Sequence, residues 1–388
     1  MKKKLFFALV AVLAVLLVFL MIPKELKLEG AEEITIKIGE EFVDEGTNLN
    51  AKVDGKVNTA KAGEYVLTYT YKDQTVKRTV HVVDPDSLVV GFYGSENTKV
   101  RQGDPYIESG AFAIDKKKGP ITECETKGEV DTQKPGTYEV SYTFKSGPLT
   151  KTITRKVEVI AKEDFKKNTA GIPVMMYHYV YTKDDVPEAL NSNYILDTDL
   201  EAQLKYLKDN DYYFPSFDEL RAYVDGKIAL PEKSAIITFD DAQRYFLRNG
   251  IPIMNKYKVP ATSFVIGIVD GTKKVKKYAS PYVAFESHSY DMHKPGGNIG
   301  HGGVLSALTK DQIVADLQKS AKQVGANNAF AFPFGDITED GKAAVAEAGF
   351  DVAFSTVPGK VHVGDDYRAL MRVRVNGGTS LQYYIDHL

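Results

Sequence analysis

Apolar and polar residues alternate along much of the first part of the chain, and they do so in two similar copies. One matched pair of segments is 61–71 and 134–144, with the sequences KAGEYVLTYTY and KPGTYEVSYTF, and a shorter pair is 39–46 and 103–110. A period of two residues is typical of half-buried antiparallel strands, and several such strands separated by glycine-containing turns predict a sandwich. The sequence therefore predicts two similar all-β modules.

After residue 171 the pattern changes to short apolar runs that alternate with helical periodicity. Leu200, Leu204 and Leu207 share one face of a predicted helix, and Thr198 and Thr309 each begin a capping-box pattern in front of a helix. Alternating strands and helices predict a parallel sheet or barrel, in which chemistry gathers at the C-terminal ends of the strands. The predicted strands are 172–177, 235–239, 261–266, 329–332, 352–355 and 370–375.

The N-terminus combines three lysines, at positions 2–4, with an unbroken apolar run, Leu5–Ile22. These 18 residues are just enough to cross a bilayer, and the lysines should remain in the cytoplasm. A cleaved signal peptide is the alternative, but its apolar core usually has only about 7–15 residues and ends in a small-residue cleavage pattern that this sequence lacks. We therefore predict a single-pass signal anchor in the cell membrane over residues 1–25, with the rest of the chain extracellular.

These patterns divide the remaining chain into four parts. The β modules occupy 26–85 and 86–161, a charged linker that ends in glycine occupies 162–171, and an α/β domain occupies 172–388. Each β module resembles the small immunoglobulin-like domains of bacterial cell-surface proteins. The modules could act as spacers, which is the favoured interpretation, or they could bind carbohydrate.

The composition is that of a folded protein of more than one domain, with 388 residues of which 43% are hydrophobic and 26% charged. The 49 basic and 52 acidic residues nearly balance. Nucleic acid is therefore not expected as a partner, because phosphate binding needs a concentrated basic surface. The single cysteine, Cys124, excludes an internal disulfide and a cysteine-rich zinc cluster, so carboxylates and histidines would have to hold any metal. Protein partners are not predicted.

One predicted strand and one further strand-like run end in residues that could carry chemistry. Asp240 and Asp241 follow the strand 235–239, and adjacent strand residues point to opposite sides, so one carboxylate could bind a metal while the other acts as a base. His288 and His293 follow a strand-like run, and neutral imidazoles are good ligands for zinc. Their spacing corresponds to about 140° of helical rotation, so they could share an ion only from a loop or an irregular turn. Solvated acids and ordinary surface or core histidines are the alternatives.

A third strand end has the sequence FAFPFG, residues 330–335. A turn of this kind could line an aromatic pocket and leave the backbone N–H of Phe334 free for an oxyanion. A hydrophobic core followed by a plain turn explains the segment equally well. The glycine-dense segment 296–303 is predicted to be a lid or rim over the same groove, or else a plain loop.

Taken in order along the chain, these motifs resemble those of the polysaccharide deacetylases, the NodB-homology or family 4 carbohydrate esterases. The matching segments are IPVMMYH at 172–178, TFDD at 238–241, HSYDMH at 288–293 and FPFG at 332–335. The longer histidine motif is similar to that of the subgroup that acts on poly-β-1,6-N-acetylglucosamine. The resemblance spans about 170–380 and implies a distorted (β/α) barrel with fewer than eight regular repeats.

The resemblance also implies roles for individual residues. Asp240 would be the general base, and Asp241, His288 and His293 would hold one divalent metal ion, with zinc favoured over cobalt, nickel or iron. The N–H of Phe334 would stabilise the oxyanion. The residues expected to contact substrate are Tyr177, Phe332, Pro333, Arg372 and Arg374.

Two features depart from the family pattern. The family places an arginine two residues before the proline, where this sequence has Ala331, and we expect Arg372 or Arg374 to supply the positive charge instead. The usual Leu-x-His motif that provides the acid is missing from the C-terminal part of the sequence. His178 and His362 are the candidates to replace it.

The predicted function is metal-dependent removal of N-acetyl groups from a cell-surface N-acetylglucosamine polymer, poly-β-1,6-N-acetylglucosamine in the first place, with release of acetate. Peptidoglycan N-acetylglucosamine deacetylation is the alternative among enzymes. A non-catalytic surface adhesin that binds carbohydrate is the alternative from another class. A serine hydrolase is disfavoured because the sequence has no G-x-S-x-G motif.

Overall fold

The computed structural model describes residues 24–388, and the chain divides after Pro85 into two compact units. The apolar run of the predicted signal anchor lies outside the described residues. From residue 24 onward, no helix is both long enough and apolar enough to cross a membrane.

The first unit contains one four-stranded sheet among its described residues, in the order β1-β4-β3-β2. The alternating segment 61–71 forms one arm of an antiparallel hairpin, and its partner strand pairs in parallel with the first strand of the unit. Ile36, Val80 and Val82 form the core on one face, as the period of two predicts. The strands are β1 (Glu33–Lys37), β2 (Lys52–Asp54), β3 (Gly63–Tyr71) and β4 (Gln74–Val83).

The second unit begins with a sandwich of two sheets, in the orders β5-β7-β8 and β6-β11-β10-β9. Leu88 and Val90 from the first sheet share a core with Val140, Tyr142 and Val157 from the second. The predicted second β module is therefore a two-layered fold. Its strands are β5 (Leu88–Phe92), β6 (Asn97–Arg101), β7 (Ala111–Asp115), β8 (Gly119–Ile121), β9 (Glu125–Lys127), β10 (Gly136–Ser146) and β11 (Leu149–Ile160).

A fully buried arginine occupies the same place in both copies of the β module. Arg78 on β4 donates hydrogen bonds to backbone carbonyl oxygens of the segment before β1, and its ion-pair partner is Asp44. Arg155 on β11 likewise donates to the carbonyl oxygens of Tyr93 and Ser95, at 2.9 and 2.5 Å. A buried charge is costly unless it is hydrogen-bonded or paired, so each guanidinium fixes the surrounding loops.

The rest of the second unit is built on a closed barrel of seven parallel strands. Six of them are the predicted strands, and the seventh leads into the histidine motif. The barrel residues are buried on both faces, which explains why the strands read as continuous apolar runs instead of alternating ones. The strands of this region, of which β13 and β14 lie outside the barrel, are β12 (Val174–Tyr177), β13 (Tyr179–Tyr181), β14 (Tyr194–Leu196), β15 (Ile236–Phe239), β16 (Ala261–Val265), β17 (Val283–Ser287), β18 (Ala329–Ala331), β19 (Val352–Pro358) and β20 (Leu370–Arg374).

The barrel closes in the order β12-β15-β16-β17-β18-β19-β20, and β13 and β14 form a separate two-stranded ribbon. Seven strands agree with the expected barrel of fewer than eight repeats. The helices that connect and cover the strands are α1 (Asp197–Asp209), α2 (Phe217–Val224), α3 (Ile251–Tyr257), α4 (Gly271–Lys277), α5 (Lys310–Val324), α6 (Glu339–Glu347) and α7 (Leu381–Asp386).

One of the two predicted capping boxes is present. At the start of α5, the side chain of Thr309 accepts a hydrogen bond from the N–H of Gln312, and the side chain of Gln312 accepts one from the N–H of Thr309. The prediction for Thr198 is wrong, because α1 begins one residue earlier and its N-cap, Leu196, makes no side-chain cap. β14 runs directly into this helix, so Thr198 is already inside the first turn.

The second β module packs against the N-terminal ends of the barrel strands. Phe112 and Ile114 belong to the same hydrophobic core as barrel residues. Tyr93 lies beside Ile236 and Ala284, which stand near the beginnings of β15 and β17. This module is therefore a structural part of the barrel unit, and its role as a spacer stays a prediction.

The connection between this module and the barrel, residues 162–171, is itself packed. The N–H of Asn168 donates to the carbonyl oxygen of Leu230, and the N–H of Glu232 donates to that of Lys166, both at 2.8 Å. The segment therefore links the two parts, as predicted, but it pairs with the barrel instead of crossing solvent freely.

Candidate active site

Three of the barrel strands end where the chemistry was predicted. Asp240 and Asp241 follow β15, His288 follows β17, and the segment 332–335 follows β18. Because all of these strands are parallel, their C-terminal ends lie at the same end of the barrel, opposite the second β module.

Asp241, His288 and His293 converge on a single point. Oδ1 of Asp241 lies 3.4 Å from Nε2 of His288 and 3.3 Å from Nε2 of His293. The ligand atoms of the three residues all lie within 4.8 Å of one another, which is close enough for one metal ion to reach all of them. The structure therefore brings together the three residues that the sequence predicts as metal ligands.

The two histidines can meet because the chain between them is not helical. Ser289 has a left-handed backbone, with φ of 70°, and its hydroxyl accepts a hydrogen bond from the N–H of Met292 at 3.1 Å. From α5, the carboxylate of Asp316 accepts the backbone N–H groups of Tyr290 at 2.6 Å and Asp291 at 2.8 Å. Asp316 was not predicted, because nothing in its own segment distinguishes it from a surface acid.

The ring of His288 is oriented by the strand beside it. Its Nδ1 donates to the carbonyl oxygen of Ala331 at 2.7 Å, which leaves Nε2 facing Asp241. Burial alone would lower the pKa of His288, but the carboxylates of Asp241 and Asp240 outweigh burial and raise it. A hydrogen bond from the second ring nitrogen is the usual way to fix the tautomer of a metal-binding histidine.

Asp240 pairs with a buried arginine on β20, the last strand of the barrel. Nη1 and Nη2 of Arg372 each donate to one oxygen of Asp240 at 2.8 Å. Burial would raise the pKa of Asp240, but the guanidinium outweighs burial and lowers it, so Asp240 is a carboxylate at neutral pH. Of the two arginines expected to supply the positive charge, Arg372 on β20 is therefore the one that pairs with Asp240.

Asp241 is likewise ionised and has an unusual backbone. Burial would raise its pKa, but the imidazoles of His288 and His293 outweigh burial and hold the pKa well below the ordinary value. Asp241 and the next residue, Ala242, have φ of 72° and 44°. Left-handed backbone is costly for such residues and tends to occur where function requires a fixed geometry.

Four of the five predicted substrate contacts are wrong, because their side chains are buried. Tyr177 points away from the barrel interior and donates its hydroxyl to Gln203 at 2.7 Å. Phe332 packs against Phe330 with ring centroids 4.8 Å apart, and Pro333 is buried beside it. The fourth, Arg372, is buried and donates hydrogen bonds to Asp240, Thr238 and the carbonyl oxygen of Ser355.

The fifth predicted contact, Arg374, is exposed, and it donates to Asn193 and Asn376. Its role in substrate binding stays a prediction. Arg372 and Arg374 lie two residues apart on one strand but differ in burial. Arg374 is exposed because β20 reaches the surface at its last residue.

The two candidate acids lie at different ends of the barrel. His178 directly follows β12 beside the two aspartates; burial lowers its pKa, and the carboxylates of Asp240 and Asp241 partly offset this. His362 is exposed and adjoins the bridge between Ile172 and Val361, before β12 begins. The structure therefore excludes His362 from the site and leaves His178 as the candidate.

Phe334 and the glycine-dense segment form one rim of the site. Phe334 has φ of 60°, and its ring centroid lies 4.4 Å from that of His293. Asp336, which is buried, accepts the N–H groups of His301, at 2.8 Å, and Gly303. A Cβ at Gly303 would lie only 2.8 Å from the Phe334 ring, so the segment lies directly on that ring as a tethered rim.

Sequence comparison relates both parts of the chain to known families. Residues 227–353 match the polysaccharide deacetylase family, and residues 26–82 and 90–159 match the Ig-like domain of bacterial surface proteins. A poly-β-1,6-N-acetyl-D-glucosamine N-deacetylase of Staphylococcus aureus (strain MRSA252) is 28% identical over 195 residues, which make up 46% of this chain and 66% of that protein. The matched region thus spans slightly less than two thirds of the length of the first curated relatives.

Two solved structures are similar to part of the chain. The Streptococcus pyogenes deacetylase PplD in complex with acetate has a TM-score of 0.48 at 24% identity, and the comparison covers 56% of this chain and 99% of PplD. IcaB from Ammonifex degensii also has a TM-score of 0.48 at 24% identity, with 57% of this chain and 98% of IcaB covered.

Proposed function

Because the chain carries a polysaccharide deacetylase domain behind bacterial surface Ig-like domains, we propose that it is a metal-dependent N-deacetylase of an N-acetylglucosamine polymer. The observation that carries this proposal is the convergence of Asp241, His288 and His293 beside the ionised Asp240. The substrate proposed first is poly-β-1,6-N-acetylglucosamine.

The donor set fits a catalytic divalent ion. One carboxylate oxygen and two imidazole nitrogens make three protein ligands, which leave positions open for water and substrate. Because Nδ1 of His288 is committed to Ala331, its Nε2 is the nitrogen that would bind the ion. A bound ion would lower the pKa of a water ligand and polarise the acetamide carbonyl. Zinc is proposed first, and cobalt, nickel and iron accept the same ligand types.

Residues of the chain would carry out the proton transfers and stabilise the oxyanion. Asp240, kept ionised by Arg372, takes the proton of the attacking water as the new C–O bond forms. The N–H of Phe334 is the proposed donor to the oxyanion of the tetrahedral intermediate, and the contact of the Phe334 ring with His293 supports this proposal. When the C–N bond breaks, the amine takes up the proton that Asp240 accepted, and His178 is the candidate to relay it. The products are acetate and a glucosamine unit.

The substrate is proposed from two observations. The first curated relatives are named poly-β-1,6-N-acetyl-D-glucosamine N-deacetylases, and the histidine motif of this chain has the longer spacing of that subgroup. Glucosamine amines are largely protonated at neutral pH, so the product would be a polycation. Such a polymer would adhere to anionic cell-wall polymers.

The experiment incubates the purified full-length chain with poly-β-1,6-N-acetylglucosamine and, separately, with peptidoglycan fragments, and measures released acetate and free amines. We expect activity on the first polymer that a chelator removes and added zinc or cobalt restores. Activity on peptidoglycan alone would reverse the substrate assignment, and activity on neither would leave the carbohydrate-binding adhesin.

Asp240→Asn tests the general base directly. The variant should lose deacetylation while it keeps its metal content, because Asp240 is not among the three proposed ligands. The matched control is Asp184→Asn, an exposed acid outside the site, which should keep wild-type activity. An active Asp240→Asn variant would remove Asp240 from its proposed role.

We also propose that the protein acts outside the cytoplasm and is held at the cell membrane by residues 1–25. The match of its β modules to Ig-like domains of bacterial surface proteins supports this placement. Membrane fractionation, together with protease treatment of intact cells, tests it. A chain that is protected in intact cells would contradict it.

A further inference from the structure

Tyr179 lies where the two-stranded ribbon reaches the metal site. It follows His178 at the end of β12 and starts β13, which pairs with β14 so that Tyr179 lies opposite Tyr194. The alternate residues Val180 and Ile195 are buried in the main hydrophobic core. Since successive strand residues point to opposite faces, Tyr179 faces away from that core and toward the site.

Because of the hydroxyl of Tyr179, the two carboxylate oxygens of Asp241 have different partners. It donates a hydrogen bond to Oδ2. Oδ1 is the oxygen that lies 3.3 to 3.4 Å from the two histidine nitrogens. One oxygen of the carboxylate is therefore engaged by the protein, and the other faces the ligand cluster.

The ring of Tyr179 is held in place by aromatic neighbours. Its centroid lies 4.8 Å from that of Tyr194 in a tilted contact and 5.8 Å from that of His178 in an edge contact. Neither contact uses the hydroxyl. Removing the hydroxyl oxygen of Tyr179 alone would thus keep the ring packing and remove only the hydrogen bond that Asp241 accepts.

We propose that Tyr179 is a positioning residue that makes Asp241 a one-oxygen metal ligand and thereby sets the affinity and the coordination geometry of the site. The inference rests on the proposed function in that it requires the site to bind a divalent ion. A carboxylate can bind a metal through one oxygen or both, and an oxygen that already accepts a hydrogen bond is a weaker second ligand. Groups that hydrogen-bond to metal ligands typically change metal affinity about 10- to 100-fold when they are removed.

The test compares Tyr179→Phe with the control Tyr181→Phe. Tyr181 lies on the same strand and face as Tyr179, and its hydroxyl makes no hydrogen bond to a ligand residue within the described part of the chain. Each full-length protein is stripped with a chelator and titrated with Co²⁺ and with Zn²⁺ against a chromophoric competitor, and the visible absorption of the Co²⁺ form is recorded. We expect about 10- to 100-fold weaker binding and a changed Co²⁺ spectrum for Tyr179→Phe, and wild-type values for Tyr181→Phe.

The outcomes separate the two proposals. If the wild type binds the ion and Tyr179→Phe matches it in affinity and spectrum, the role of Tyr179 is overturned while the proposed function stands. If the wild type itself retains no ion, both are overturned. Melting of the metal-free proteins shows whether Tyr179→Phe folds; if it does not, 3-fluorotyrosine placed at position 179 keeps the hydroxyl as a stronger donor, and an unchanged metal affinity there overturns the role.

Discussion

Replacing Arg372 by glutamine should leave the buried carboxylate of Asp240 without its ion-pair partner. Arg372 is fully buried, and both of its terminal nitrogens bind Asp240, which is 3% exposed. Removing one partner of a buried ion pair costs about 3–5 kcal/mol, because the remaining charge keeps its desolvation penalty without its partner. We therefore expect Arg372→Gln to lower the free energy of unfolding of residues 86–388 by about that amount.

The double variant shows whether the loss comes from the stranded charge. Asp240→Asn should also destabilise, because it leaves the guanidinium with only its neutral acceptors, one of which is the carbonyl oxygen of Ser355 at 3.0 Å. Removing both charges takes away the unpaired partner, so the double variant should be more stable than the sum of the single effects predicts. Residues that contact each other in this way typically couple by roughly 0.5–3 kcal/mol.

The assay is urea unfolding followed by circular dichroism at pH 7, with a chelator present so that metal binding does not contribute. Arg374→Gln is the matched control, since Arg374 lies two residues away on the exposed end of β20 and should change stability by no more than about 0.5 kcal/mol. Single-variant effects that add to within about 0.5 kcal/mol would refute the reasoning, because the pair would then not be coupled.

Three further predictions concern pH, the histidine segment and the modules. Burial and the neighbouring carboxyl of Asp351 raise the pKa of Asp218 to about 7, above the unfolded value of about 3.9, so this group makes stability fall as the pH rises from about 4 to about 7. Asp218→Asn should remove that contribution, and an unchanged slope of melting temperature against pH would contradict it. Asp316→Ala should cost about 1–3 kcal/mol and weaken Zn²⁺ binding, because two backbone N–H groups lose their acceptor; unchanged Zn²⁺ affinity would count against this role. Deleting residues 1–85 should leave a folded, metal-binding barrel, whereas deletion through 161 should give aggregated protein, because the second module covers apolar core of the barrel; soluble, metal-binding protein from the longer deletion would disprove this.

Local patterns in the sequence were sufficient for six of the seven barrel strands, and the resemblance of the motifs to a known family supplied the three proposed metal ligands. An apolar run followed by a polar motif is a local signal, and parallel strands bring such motifs to one end of a barrel whatever their separation. Asp241, His288 and His293 therefore meet as predicted. The irregular turn between the histidines was also expected from their spacing.

Contacts between distant segments could not be predicted in the same way. The partner of Asp240 lies 132 residues away on β20, and the sequence could only narrow the choice to Arg372 or Arg374. The sequence predicts Tyr177 and Phe332 as substrate contacts because they lie within the family motifs. Their side chains point the other way, and a one-residue change in strand position reverses the direction of every side chain.

The buried arginines of the two β modules have a consequence for how such repeats diverge. Arg78 contacts the carbonyl oxygens of Glu29, Ala31 and Gly46, and Arg155 contacts those of the equivalent residues Tyr93, Ser95 and Gly110. Every amino acid offers the same carbonyl group, so an anchor of this kind does not depend on which side chains its partners carry. After a duplication of the module, the second copy could acquire the apolar surface that packs against the barrel, while the first copy kept a charged surface. Both copies would keep their fold.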